Sequence, residues 1–176
     1  MKSLQEYHIQ FTGLKLGKHQ FEFEIDEKFF QEFEYSLVKN GKLKVVLELD
    51  KQETMLILQF HIAGEIFVNC DVCLAEFPSG INIEERQIVK FSNDENLEDD
   101  TDEIIVLSKN EHEIDISGLI YEYINLAVPY INRCDDPGNT SWCDQEMLEK
   151  LKALSGEKEQ PNNADPRWDA LKNIKK

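Results

Sequence analysis

Two apolar runs with a two-residue beat stand close together: Leu43-Lys44-Val45-Val46-Leu47-Glu48-Leu49 and Met55-Leu56-Ile57-Leu58-Gln59-Phe60-His61-Ile62. Successive side chains of a strand point to opposite faces, so each run makes one face to bury and one to leave wet. Only polar Asp50 to Glu53 joins them, and so short a link leaves antiparallel pairing as the natural solution. The chain is therefore built around an antiparallel sheet with a single buried face.

Weaker signals extend this sheet. Tyr7 to Phe11 and Phe21 to Ile25 alternate like half-buried strands, as does Ile81 to Phe91 with less regularity, and Ile104 to Leu107 reads as a short strand. Asn40-Gly41 suits the positive φ angles of a tight hairpin. Gly64 is read as a break before a separate run, Glu65 to Val68. Asp26 can cap a short helix with Phe29, Phe30 and Phe33 on one face. The clearest helix starts at Asp115, with Ile116, Leu119, Ile120, Tyr123, Ile124, Ala127 and Val128 at helical spacing, and Pro129 stops it. Asp144 to Leu154 predicts a further short helix with Met147, Leu148 and Leu151 on one side.

The expected architecture is α+β: an antiparallel meander, partly barrel-like, covered by one main helix, with short C-terminal helices. Residues 1–154 would form a single domain with an acidic loop at 93–103. Residues 155–164 would be a linker, and residues 165–176 a short basic helix opened by Asp165 as cap and Pro166 in the first turn.

Charge narrows the function. The net charge is −16, and residues 51–148 carry five bases against twenty-one acids. Such a surface repels phosphate, because non-specific nucleic-acid affinity comes mainly from Lys and Arg displacing counterions. Any RNA contact must use a local patch, and an acidic face suits a basic partner equally well. Residues 93–103 hold seven acids and no base. They lack the glycine turn and fixed ligand intervals of a calcium loop, so they read as solvated. No apolar run reaches membrane-spanning length, and the N-terminus lacks the apolar core of a secretory signal. The expectation is a cytoplasmic protein with reduced thiols.

The four cysteines come as Cys70-x-x-Cys73 after a strand and Cys134 with Cys143, eight residues between. A redox pair wants its first cysteine at a helix N-terminus, but Leu74 to Gly80 reads as a turn into another strand, and Asp71 and Glu76 would raise thiol pKa values. Disulfides are disfavoured in the cytosol. Two readings remain: a structural zinc site built from Cys70, Cys73, Cys134 and Cys143, which has the right number of thiolates, and free thiols packing as small apolar groups. The eight-residue spacing is wider than that of most zinc ribbons. His8, His19, His61 and His112 are scattered, and no phosphate loop, dinucleotide fingerprint or zinc-protease motif is present. No catalytic residues are expected and no small-molecule substrate. A small zinc or thiol enzyme is the remote alternative.

The C-terminal end adds Arg167, Lys172, Lys175 and Lys176 around Trp168. Cations meet phosphate and an indole stacks on an unpaired base. The competing reading docks Trp168, Leu171 and Ile174 on the body and leaves the charges solvated.

Taken in order, these segments resemble one family: Asn69-Cys70-Asp71-Val72-Cys73-Leu74-Ala75-Glu76-Phe77 after a β-rich half, Asp102-Glu103-Ile104-Ile105-Val106, Ile114-Asp115-Ile116 leading to Leu126-Ala127-Val128-Pro129, and Asp165-Pro166-Arg167-Trp168-Asp169-Ala170-Leu171. The series is similar to the YceD family, the large ribosomal RNA subunit accumulation proteins. The resemblance implies a cytoplasmic, non-enzymatic factor in ribosome biogenesis, tied to normal levels of large-subunit ribosomal RNA. Its partner would be precursor RNA of the large subunit, or a basic ribosomal protein bound without RNA contact. Many family members carry C-x-x-C in both halves. This chain keeps the first and widens the second.

Overall fold

Alternation in residues 43–62 becomes two long central strands. The computed structural model of the chain describes residues 4–92, 104–134 and 140–155. In it β1 (His8–Gln10), β2 (Gly17–Ile25), α1 (Glu27–Gln31), β3 (Asn40–Lys51), β4 (Met55–Asn69) and β5 (Glu76–Ser92) are followed by β6 (Ile104–Ser108), β7 (Glu113–Asp115), α2 (Ser117–Leu126) and α3 (Gln145–Ser155). Five strands make one sheet in the order β2-β3-β4-β5-β6, while β1 and β7 pair as a separate antiparallel ribbon. Leu47 faces Phe60 and Leu49 faces Leu58 across β3 and β4. These residues, with Leu56, Ile62 and Ile66, are fully or almost fully buried. Each contributes about 1.5–3 kcal/mol relative to exposure.

Several expectations need correction. Asn40-Gly41 is not a hairpin. Neither residue has a positive φ, and both lie inside β3 opposite Phe67 and Ile66. Gly41 serves close packing: a Cβ there would meet Glu65 O at 3.1 Å and the Phe30 ring at 3.3 Å. Gly64 does not break the chain into two strands. The ladder of β4 runs through it at φ 150°, and a Cβ would fall 2.3 Å from the Lys42 carbonyl oxygen. Only glycine permits that approach.

The sheet is also not an all-antiparallel meander. β6 runs parallel to β5, with Ile88 opposite Ile104. A parallel neighbour needs a long return connection, and residues 93–103 occupy that place in the sequence. Among the described residues the sheet is open, with β2 and β6 at its edges rather than closed into a barrel.

The buried face is covered from two sides. Asp26 caps α1 as expected, its Oδ1 accepting from Lys28 N–H at 2.9 Å, and Phe29 and Phe30 are buried. Tyr7 from the turn before β1 packs on Phe23 and Phe29, and Phe11 packs on Phe91. Lys51 Nζ donates to the carbonyl oxygens of Phe11 and Leu14 at 2.7 and 2.8 Å, pinning the loop after β1 to the end of β3.

The helix expected from Asp115 begins instead at Ser117, because Asp115 still belongs to β7. Its Oδ1 accepts from Ser117 N–H at 2.8 Å and so ends the strand and starts the helix. Ile116, Ile120 and Ile124 are fully buried. Tyr123 sets its ring against Phe60 and donates its hydroxyl to Gln87 Oε1 at 3.1 Å. α2 therefore lies over β4 and β5.

Ser155, expected to open a linker, closes α3. The acidic segment 93–103, the rest of the expected linker, and the basic end with Arg167, Trp168, Lys172, Lys175 and Lys176 lie outside the described residues.

Candidate metal centre

β4 ends at Asn69 and β5 begins at Glu76, so the C-x-x-C occupies the reversal between them. Cys70 N–H donates to Ala75 O and Leu74 N–H donates to Cys70 O, both at 2.9 Å. To close so tight a loop Leu74 takes φ 60°, the left-handed region that favours glycine or asparagine. The same curvature turns the backbone amides of Val72 and Cys73 onto Cys70 Sγ, at 3.4 and 3.5 Å. Neither cysteine heads a helix, so the dipole arrangement of a redox pair is absent from this turn.

The second pair arrives from far along the chain. Asp71 N–H donates to Asn132 O, and Asn132 N–H donates back to Asp71 Oδ2, both at 2.8 Å. This reciprocal pair fastens the segment after α2 to the turn and sets Cys134 against it. Cys143 follows the single helical turn Thr140–Trp142 and precedes α3, whose start is fixed by Asp144 Oδ1 accepting from Met147 N–H at 3.0 Å. Cys73 Sγ lies 3.3 Å from Cys134 Sγ and 3.6 Å from Cys143 Sγ. The Sγ atoms of Cys70, Cys73 and Cys134 all fall within 4.8 Å of one another. Three of the four cysteines named from the sequence are therefore grouped together, and the fourth, Cys143, touches the group through Cys73. The wide spacing of the second pair matters little, because the Asp71–Asn132 pair holds one end and the head of α3 holds the other.

Sulfurs at these distances are not disulfides, which need about 2.05 Å. Four thiolates around a tetrahedral zinc at about 2.3 Å would stand about 3.8 Å apart; the Cys73–Cys134 and Cys73–Cys143 separations are close to that, while Cys143 lies outside the set of three sulfurs that are all within 4.8 Å of one another. The electrostatics are uneven. Burial pushes the Cys73 thiol up, but hydrogen bonds from the backbone of Ala75 and Asp144 and from Cys134 and Cys70 outweigh it, lowering the pKa to about 6. Burial pushes Cys134 far up. Cys143 is drawn down by its hydrogen bond with Cys134 but ends raised, through burial and the neighbouring Cys73 and Cys70. Cys73 is thus ready as thiolate near neutral pH, whereas Cys134 and Cys143 need a cation to lose their protons. The cluster fits a soft divalent metal.

Outside the cluster the histidines stand apart. His8 faces Glu113 at 3.3 Å on the β1–β7 ribbon, and His61 faces Glu84 at 3.6 Å on the open side of the sheet. A shallow groove of about 440 Å³ there is lined by Glu48, Gln59, His61 and Arg86, with no cysteine in it. The sequence reading took Asp71 only as a charge that raises thiol pKa values, which Cys73 contradicts, and it missed Asn132 and the sulfur-directed amides. Nothing in the sequence pairs residues sixty-one apart. It also missed the apolar side chains Val72, Leu74, Tyr130, Ile131 and Trp142, which are exposed beside the cysteines.

A family model described as "Large ribosomal RNA subunit accumulation protein YceD" matches residues 58–175, more than half of the chain and all four cysteines. The chain belongs to the YceD family. This agrees with the resemblance carried by the ordered segments above. The chain is also similar to the "Uncharacterized protein YlbN" of Bacillus subtilis (strain 168), 26% identical over 127 residues that cover 72% of this chain and 70% of that protein. No solved structure matches it. The family's name ties YceD proteins to accumulation of large-subunit ribosomal RNA. Among the described residues no helix of this YceD protein is long and apolar enough to cross a membrane.

Proposed function

We propose that this chain supports large-subunit ribosomal RNA accumulation in the cytoplasm as a binding factor, holding precursor RNA or an assembly partner, with no reaction centre of its own. Cys70, Cys73, Cys134 and Cys143 are its structural zinc ligands, and zinc bound there would cross-link the turn to the segment ahead of α3. The observation that supports the reading is the cluster of Cys70, Cys73 and Cys134, with Cys143 Sγ 3.6 Å from Cys73, inside the family-matched region. Cys70, Cys73 and Cys134 are at most 2% exposed and Cys143 is half-buried; structural zinc is held by four such ligands, whereas catalytic zinc keeps an open position. Arg167, Trp168, Lys172, Lys175 and Lys176 remain the proposed RNA or partner contacts at the C-terminal end.

A second reading is favoured by the acidic charge of the chain: an adaptor that binds a basic ribosomal protein through the acidic 94–103 region and never touches RNA. Affinity purification of the full chain from lysate, with and without nuclease, tests both. Recovery of large-subunit precursor RNA that nuclease abolishes supports direct contact, whereas a ribosomal protein that survives nuclease supports the adaptor. Recovery of no ribosomal component in either arm ends the proposal.

A further inference from the structure

Exposed apolar side chains are scattered singly on most proteins, but here five of them share the thiol end. Val72 and Leu74 sit on the C-x-x-C turn. Tyr130 and Ile131 directly precede Asn132, which is bonded to that turn through Asp71. Trp142 precedes Cys143, whose sulfur touches Cys73. Leu74 is 68% exposed, Ile131 60% and Tyr130 99%. The remaining described parts of the same segments add exposed Asp71, Glu76 and Asp144 against the single base Arg133.

Leu74 is the informative residue. It holds the left-handed backbone angle that glycine would adopt without strain, and points a large aliphatic group outward. Glycine would meet the turn without that strain. Strain of this kind, kept at an exposed position, points to a binding role.

We propose that this face, with Leu74 and Ile131 as its apolar centre, docks a basic peptide segment of a protein partner that carries an aliphatic or aromatic anchor. The inference rests on the binding role proposed above and names the site and partner chemistry. The acidic flanks match a cationic partner and oppose a polyanion, so a protein segment fits better than RNA. The cysteine cluster would hold the turn and the 129–134 segment in one rigid arrangement, lowering the ordering cost of binding.

The test uses the full chain purified without chelator and short synthetic peptides tiling the large-subunit ribosomal proteins. Binding should be confined to cationic peptides with an apolar anchor, and should weaken several-fold between about 0.05 and 0.2 M salt. Leu74→Gly removes the side chain and relieves the backbone angle, so its melting temperature should be unchanged or higher while affinity falls about tenfold or more. Ile131→Asp should lose affinity likewise. Peptides bound equally by wild type and both variants, the absence of any peptide binding, or an RNA oligonucleotide as the probe whose binding the variants lose would each overturn the docking site. Peptide binding is read on purified protein, whereas the family role is read as large-subunit RNA levels in cells lacking the chain, so either can fail without the other.

Discussion

The sheet and the thiol end are held together by different physics. In the sheet, neighbours in sequence are neighbours in space: β2 to β5 follow one another, and side chains such as Leu47, Leu58 and Ile62 supply many small gains spread over a wide face. At the thiol end two segments about sixty residues apart meet through one reciprocal hydrogen-bond pair and four sulfurs. A body built by area tolerates the loss of one contact. A junction built by a few directional groups does not, and its strength depends on protonation and metal.

The largest expected effect lies in the sheet. Gly64→Val places a Cβ against the Lys42 carbonyl at a backbone angle that valine does not adopt. It should abolish cooperative folding of both regions, read as loss of a thermal transition. A Gly64→Val protein that melts normally would show that β4 does not run unbroken past this point.

A smaller effect separates the two regions by pH. In metal-free protein Cys73 is held at about 6 in the fold against an ordinary 9.0. The unfolded chain therefore binds the extra proton, and stability from this thiol is full above about pH 9 and lost as pH falls through about 6. Cys134 and Cys143, pushed up, act in the opposite sense only as pH rises past their ordinary value. Between pH 9 and 6 the melting temperature of metal-free protein should fall, and Cys73→Ser should flatten that slope. An unchanged slope in the variant would remove the thiol end from the account.

How much of this was legible in the sequence follows the same division. Period-two alternation found β3 and β4, Asp26 announced α1, and the isoleucine spacing of 116, 120 and 124 found α2. Glycines misled, because Gly41 and Gly64 serve close backbone and ring approaches inside strands, and a turn signal looks the same in sequence. The parallel β5–β6 pair and the β1–β7 ribbon escaped, since partners such as Ile9 and Ile114 are set by topology and not by any local pattern. At the site, residue type named all four cysteines. The fastening role of Asp71 and Asn132 carried no signal, because it exists only once the two segments meet, and the strain at Leu74 appears only when the turn closes on itself.

Four sulfurs closing around one metal would staple these segments together. Elemental analysis with X-ray absorption on protein purified without chelator measures that closure directly. One zinc per chain with four sulfur neighbours at about 2.3 Å is the predicted result. Zinc well below one per chain, or a first shell dominated by oxygen and nitrogen, would contradict it.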